Sequence, residues 1–243
     1  MSQHGKRYRQ ALANIDREHA YSPLEAIKLL KEQEGAKFDE TVEVHMNMGL
    51  NVRHAEQQLR GTLMLPHGTG KDTRVAVFAE GEKAKEAQDA GADVVGSADL
   101  AKQIEEGLDD FDVAVATPDM MGTVGKLGRI LGPRGKMPNP KAGTVTFDVA
   151  KAVRDSKAGK LEYRTDRGAN VHLAIGKKSF DERQLLENYA TVIEEIVRAK
   201  PAAAKGRYIR SITLASSMGP GIHVDPQRTK GIAEEREGAE AAA

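Results

Sequence analysis

The stretch GTVGKLGRILGPRGKMPNPKAGTVT, residues 122–146 of a 243-residue chain, contains six glycines, three prolines and five basic residues but no acidic residue. Proline restricts φ and glycine permits positive φ, so the proline-rich second half of this stretch cannot form a regular helix or strand. It is therefore predicted to be a loop of defined shape. The cations are either spaced for a polyanionic surface or simply solvated on a structural connector. They are Lys126, Arg129, Arg134, Lys136 and Lys141.

The segments on either side of this loop show two different patterns of apolar residues. From residue 74 to residue 157, short apolar runs alternate with helical stretches of about ten residues, as in a parallel sheet covered by helices. Outside that part, apolar and polar residues alternate with the period of half-buried strands, most clearly over residues 38–50, 161–165 and 170–175. The order of the two patterns predicts one domain inserted into another.

Local signals predict the remaining elements. Ser22 and Glu25 form a capping box at the start of a helix, with proline between them at the first helical position. We expect a short helix over residues 51–58, a short strand over residues 145–147 and a last clear strand over residues 208–215. The end of the chain, residues 229–243, is rich in alanine and glutamate and is predicted to be disordered.

Composition excludes several classes of protein. The chain has no cysteine, so it can form neither a disulfide framework nor a thiolate metal site, and it has no cysteine nucleophile. It contains no apolar run near 18 residues and its first residues lack the apolar core of a signal peptide. A cytoplasmic protein that does not insert into a membrane is expected.

The distribution of charge is more informative than its total. The 36 basic residues balance the 36 acidic residues, but residues 80–119 carry twelve acidic against three basic residues, a local balance of −9. Residues 120–143 then carry +5 and residues 1–17 carry +3. Because charges act mainly within a Debye length, about 8–10 Å, a neutral total does not exclude a nucleic-acid partner.

The motifs of common enzymes are incomplete in this chain. Residues 68–71, Gly-Thr-Gly-Lys, suggest a phosphate-binding loop, but the full motif needs glycine and a hydroxyl residue where the chain has Leu65 and Asp72. No GxGxxG follows the predicted strand at residues 75–79, and the histidines show no helical ligand spacing. We therefore predict no catalytic residue, no metal and no cofactor.

The segment LGRILGPRGKMPNPKAGTV, within the opening stretch, closely resembles the signature of the family of large-subunit ribosomal proteins numbered one. The resemblance covers residues 2–228 and implies a structural protein that binds large-subunit ribosomal RNA at the mobile stalk beside the tRNA exit site. It implies an α/β and α+β fold of two domains. These are a split α+β domain, residues 1–66 plus 160–228, and an inserted three-layer, Rossmann-like α/β domain, residues 67–159.

The same resemblance implies which residues contact RNA. The family's Thr-Met-Gly element maps onto Ser217, Met218 and Gly219, with serine in place of threonine; without the resemblance, residues 216–221 would be read as an ordinary turn. Two further family segments contribute predicted RNA contacts: one lies at the start of the first strand and the other lies within residues 160–172. The residues that they contribute are Lys37, Phe38, Thr41, Arg164, Asp166 and His172. A φ above zero and a close approach of RNA are expected at Gly219.

The resemblance also implies the partners: ribosomal RNA, exit-site tRNA, the protein's own messenger RNA, which it would repress, and other ribosomal components, with a monomer when free. The competing hypothesis is an α/β enzyme that binds a nucleotide or another small molecule. We expect the outer domain to carry most of the specific RNA affinity, because the inserted part has fifteen acidic against thirteen basic residues. The loop at residues 122–146 would then supply a secondary contact.

Overall fold

The computed structural model describes residues 5–228, with the side chain of Lys141 left out. The predicted disordered tail, residues 229–243, lies outside the described residues. The chain forms two compact units. Unit one contains residues 5–70 and 162–228, and unit two contains residues 71–161.

Helices and strands alternate along most of the chain. In chain order, the α-helices of the described residues are α1 (Lys6–Ala13), α2 (Pro23–Glu32), α3 (Glu82–Asp89), α4 (Ala98–Glu105), α5 (Met121–Val124), α6 (Gly128–Leu131), α7 (Val149–Lys157) and α8 (Glu182–Arg198). The strands are β1 (Thr41–Met48), β2 (Arg60–Met64), β3 (Val75–Phe78), β4 (Val94–Gly96), β5 (Val113–Ala116), β6 (Lys160–Arg164), β7 (Asn170–Lys177), β8 (Ile209–Ser216) and β9 (Ile222–Val224). The predicted mixed α/β class is confirmed.

Unit one is built on an antiparallel sheet with the strand order β7-β1-β8-β9. The period-two pattern predicted for β1 is confirmed, since every second side chain from Val42 to Met48 is fully buried. Helix α2 packs against β8 and β9, and α8 packs against β7. These helices cover the apolar face of the sheet, so its polar side chains lie on the opposite, open face. Strands β2 and β6 form a separate two-stranded sheet.

Unit two is built on a parallel sheet with the order β4-β3-β5, as its alternating pattern predicted. Side chains of β3 enter two different cores. Ala76 and Phe78 pack with residues of α4, α5 and α6, whereas Val75 and Val77 pack with residues of α3 and α7. Both faces of this short sheet are therefore covered, which is why its strands are uniformly apolar.

Several local predictions need correction. Residues 51–58 form only a 3-10 turn at Ala55–Gln57, and the expected strand at residues 145–147 is reduced to one bridge between Val145 and Ala116. A strand here cannot continue toward α7, because Asp148 is already the N-cap of that helix and accepts a hydrogen bond from the Lys151 N–H. Strand β9 was not predicted, since three residues are too few to show a period. Among the described residues, no helix has both the length and the apolar character needed to cross a membrane.

Candidate nucleic-acid interface

The start of β1 and the end of β8 meet at one end of the sheet in unit one. The Ser217 N–H donates to the Thr41 carbonyl at 3.0 Å, and the Thr41 N–H donates to Ser217 Oγ at 3.1 Å. Lys177, on β7, adds a hydrogen bond from Nζ to Thr41 Oγ1 at 2.9 Å. Antiparallel pairing thus brings together two predicted RNA-binding residues that lie 176 positions apart in the chain.

The large apolar side chains at this end of the sheet are exposed to solvent. The exposed fraction is 57% for Phe38 and 53% for Met218, and Lys37 and Ser217 are also exposed. An exposed surface that combines apolar groups, a hydroxyl and lysine ammonium groups offers partners for ribose, 2′-hydroxyl and phosphate. We call this surface the strand-end site; it consists of Lys37, Phe38, Thr41, Ser217 and Met218.

A residue that the sequence interpretation missed, Glu40, lies beneath the strand-end site. Its side chain is only 2% exposed, and its carboxylate accepts hydrogen bonds from the backbone N–H groups of Ala36, at 2.5 Å, and Met218, at 3.1 Å. Burial alone would raise the pKa of this carboxyl. The hydrogen bond from the Ser216 hydroxyl and the two backbone donors outweigh that effect, so the pKa lies below its ordinary value.

A signal for the burial of Glu40 was present in the sequence. Glu40 is in phase with Val42 and Val44, so the period of two that predicts β1 also places Glu40 on the inward side. An acidic residue in that phase needs hydrogen-bond donors from its surroundings. The identity of those donors could not be read from the sequence, because Ser216 and Met218 belong to a distant strand end.

Gly219 differs from its expectation. Its N–H donates to the Ser216 carbonyl at 3.1 Å, and its φ does not lie in the left-handed region, so the prediction of a positive φ was wrong. A Cβ at this position would overlap Ser216 Oγ and would lie 3.0 Å from Gln33 Oε1. A side chain at this position would therefore have to displace the Ser216 hydroxyl. Among the residues described, neither the nitrogen nor the oxygen of the buried Gln33 side-chain amide has a hydrogen-bond partner.

A second group of predicted residues lies around the loop between β6 and β7. Asp166 accepts hydrogen bonds from the N–H groups of Gly168, at 2.8 Å, and Asn170, at 2.7 Å. The bond from the Asn170 backbone is the largest cause of the lowered pKa of Asp166. His172 Nε2 lies 3.6 Å from Asp166 Oδ2. Asp166 therefore shapes this loop, and as a hydrogen-bond acceptor it is not suited to bind phosphate directly.

Arg164, at the end of β6, is exposed and has no ion-pair partner within the described part of the chain. It lines a cleft of about 410 Å³ together with Thr165, Asp166 and Arg167. Arg167 was not predicted as a site residue. Two guanidinium groups at one cleft can bind adjacent phosphate oxygens, so the structure extends the predicted Arg164 contact by a second cation.

Histidines form a row across the open face of the sheet. His45, on β1, pairs across the strands with His172 on β7 and with Thr213 on β8. The Nδ1 atoms of the two histidines are 2.9 Å apart, and Thr213 Oγ1 lies 3.2 Å from His223 Nδ1. Burial is the main cause that lowers the pKa of His45; His172 adds to the effect and Glu43 opposes it.

In unit two, the cations of the opening stretch are not equally available. Asp109 forms ion pairs with Arg134 at 2.9 Å and with Lys136 at 2.7 Å, and the Lys136 ammonium lies 5.0 Å from the centre of the Phe111 ring. The hydrogen bond from Lys136 is the largest cause of the lowered pKa of Asp109. Lys126 and Arg129 are exposed and have no such partner among the residues described. Two of the predicted RNA-contacting cations thus share one carboxylate within the unit.

Unit two has a cleft of about 390 Å³ at the carboxyl ends of β3 and β4, where doubly wound folds bind nucleotides. Its lining includes the acidic residues Glu80 and Asp99 and no lysine or arginine. This environment disfavours phosphate. Within residues 5–228, no group of three or more His, Asp or Glu side chains is arranged to hold a metal ion.

Comparison with known proteins settles the family. The ribosomal protein L1p/L10e family matches residues 30–220. The chain belongs to this family. It is 61% identical over 225 residues to the large ribosomal subunit protein uL1 of Thermobifida fusca (strain YX), covering 93% of this chain and 96% of that protein. It is 58% identical over 238 residues to the protein of the same name from Nocardioides sp. (strain JS614), covering 98% and 99%.

Membership in this family confirms the predicted resemblance. It also confirms the expectation that the protein is not an enzyme, since the matched family and the matched relatives are ribosomal proteins. The individual RNA contacts remain predictions. What the structure adds to them is their spatial grouping: a strand-end site over Glu40, an arginine cleft beside Asp166, and a basic stretch that is helical at α5 and α6 and has two cations paired with Asp109.

Proposed function

We propose that the protein is a structural component of the large ribosomal subunit and binds large-subunit ribosomal RNA through the open side of unit one. The near full-length match to two large-subunit ribosomal proteins supports the ribosomal role. The observation that carries the RNA-binding role is the strand-end site. It presents exposed Phe38 and Met218 beside hydroxyl and ammonium groups on a rigid pair of strand ends.

Recognition at this surface depends on RNA shape, backbone and sugar hydroxyls. Aromatic residues make up only 4% of the chain, too few for a platform that stacks successive bases. The Ser217 hydroxyl can exchange hydrogen bonds with a 2′-hydroxyl, and the apolar side chains can pack against ribose. Arg164 and Arg167 supply positive charge for phosphate at a second place, the cleft beside the β6–β7 loop, which lies at the other end of β1.

We propose two domains with different roles: the split α+β domain of residues 1–66 and 160–228, and the inserted three-layer α/β domain of residues 67–159. The bounds of the two compact units differ from these by a few residues. The first domain carries the specific affinity. The second adds a secondary contact through Lys126 and Arg129, with Arg134, Lys136 and Lys141 contributing less or only after rearrangement, because Asp109 holds two of these three cations.

The proposed function includes the finer roles that the family resemblance implies. The protein acts at the mobile stalk in the cytoplasm, assists the release of deacylated tRNA from the exit site and represses translation of its own messenger RNA. The same RNA-binding surface can bind both ribosomal RNA and the messenger RNA, provided that the messenger RNA contains a structure similar to the ribosomal site.

A footprint of the purified protein on naked large-subunit ribosomal RNA tests the proposal. We expect protection of one stem-loop region. Diffuse protection that disappears at moderate salt would contradict it, because non-specific phosphate binding is strongly salt-dependent.

A further inference from the structure

We propose that Glu40 is a positioning residue of the RNA-binding site: its buried carboxylate holds residues 36–38 and residues 216–219 in one fixed arrangement. This inference rests on the proposed function. Glu40 itself is 2% exposed and cannot contact RNA directly without a rearrangement of the site. Its effect must therefore pass through the segments that it joins.

The carboxylate connects the two segments through hydrogen bonds to their backbones. One oxygen accepts from the Ala36 N–H, two residues before Phe38, and the other accepts from the N–H of Met218 itself. The Ser216 hydroxyl supplies a third donor. The Glu40 carbonyl in turn accepts from the Lys178 N–H at 2.8 Å, which fixes the first segment to the end of β7.

The two exposed side chains have little packing of their own to hold them. More than half of the surface of Phe38 and of Met218 faces solvent, so their positions depend on the backbone that carries them. Ordering such groups in advance lowers the entropic cost of binding. A carboxylate beneath them that binds both backbones provides this order.

The surroundings of Glu40 allow little slack. The turn at Gly219 packs so closely on Ser216 that a Cβ would displace the Ser216 hydroxyl, and the Lys178 ammonium donates to the Gln33 carbonyl at 2.5 Å. The Gln33 side-chain amide is buried and has no hydrogen-bond partner within residues 5–228.

Only an ionised carboxylate satisfies this arrangement. In Glu40→Gln, the amide has one oxygen to accept a hydrogen bond, and its NH₂ group faces a backbone N–H donor. One of the two segments therefore loses its anchor. We therefore expect Glu40→Gln to weaken RNA binding. If charge alone mattered, the substitution would strengthen binding, because it removes a negative charge near a polyanion. The direction of the change thus separates positioning from charge.

The test uses the full-length protein and the ribosomal RNA fragment that the wild-type protein protects. We expect Glu40→Gln to weaken binding by about tenfold or more at a salt slope close to that of the wild type, because phosphate contacts are retained. Hydrogen exchange of the Met218 amide, measured without RNA, should accelerate. The matched control is Glu195→Gln on α8, which removes the same charge from a carboxylate that pairs with Arg198, and it should leave affinity within about twofold.

A second variant covers the case in which Glu40→Gln does not fold. Ser216→Ala removes one donor to the carboxylate and leaves the charge, and we expect a loss of about threefold. Wild-type binding that neither variant weakens would overturn the inference while leaving the proposed function intact. Stronger binding by Glu40→Gln would overturn it in favour of simple charge repulsion. Absence of specific binding by the wild-type protein would overturn the proposed function itself.

Discussion

The strand-end site of unit one and the basic loop of unit two, residues 122–146, differ in how far their composition indicates what a partner can contact. The loop has five cations and no acidic residue, yet Asp109, which lies outside it, forms ion pairs with both Arg134 and Lys136. The strand-end site has one cation among its residues, Lys37, and offers exposed hydroxyl and apolar groups. The difference shows that formal charge in a sequence overstates the charge that a partner can reach.

The two regions also use glycine differently. Gly219 has no space for a side chain, because Ser216 and Gln33 pack against it. Gly122, Gly125 and Gly128 in unit two have nothing within 4 Å of a Cβ position. The same residue type thus marks a tightly packed turn in one region and an open helical surface in the other.

The largest effect is expected from Gly219→Val. The added side chain would displace the Ser216 hydroxyl and the Gln33 amide, so the strand-end site should lose its shape and RNA affinity should fall by about tenfold or more. Gel-shift titration with the protected RNA fragment measures this, and circular dichroism confirms that the fold survives. Gly122→Val is the matched control, and equal losses for both variants would remove the distinction between the two regions.

Removal of unit two should have a smaller effect. Joining Gly70 to Lys160 by a short Gly/Ser linker keeps residues 67–70, which the side chain of Asn188 holds through hydrogen bonds to His67 and Gly68. We expect this shortened protein to retain specific affinity within about tenfold, or about 1.4 kcal/mol. A thousandfold loss in a folded shortened protein would make the basic loop the primary site and reverse the comparison.

Arg164→Ala tests a single phosphate contact in unit one. If Arg164 neutralises one phosphate, the slope of log K against log salt should decrease in magnitude by about 0.7–0.9. Arg60→Ala is the control, since Arg60 lies on the neighbouring strand but is paired with Glu162. An unchanged slope together with weaker binding would mean that Arg164 acts on structure rather than on phosphate.

Asp109→Asn should increase the contribution of unit two. It releases Arg134 and Lys136, so we expect affinity for RNA at low salt to rise by about two- to threefold, with a steeper salt dependence. Glu105→Gln makes the same change in net charge without releasing a cation. If both variants bind RNA equally well, the gain comes from net charge and not from the freed side chains.

The smallest expected effect is the contribution of His45, in the histidine row, to the pH dependence of the free energy of unfolding. Folding lowers the pKa of His45 from 6.5, so the unfolded chain binds more protons near and below that pH, and the free energy of unfolding falls as the pH decreases. Urea denaturation at about pH 7.5 and about pH 5.5 measures this loss, which should be smaller in His45→Asn. Identical losses in both proteins would show that another group is responsible.

Local patterns were sufficient for most of the fold. The alternation over β1, the capping box of α2 and the βα pattern of unit two depend on neighbours within a few residues, so the sequence predicts them directly. Short elements were the exceptions. Strand β9 has three residues and pairs with β8, and no local period distinguishes such a segment from a loop.

The candidate site depended on contacts between distant segments. The hydrogen bonds from the Ser217 N–H to the Thr41 carbonyl and from the Met218 N–H to Glu40, and the ion pairs of Asp109, arise only after strand register and packing bring remote residues within 3–4 Å of each other. Hydrogen bonds and ion pairs have this short range, whereas periodicity constrains only the residues of one element. The sequence by itself therefore predicts the family, the strands and the loop. The accessible charge and the position of Glu40 beneath the strand-end site are decided only by the tertiary structure.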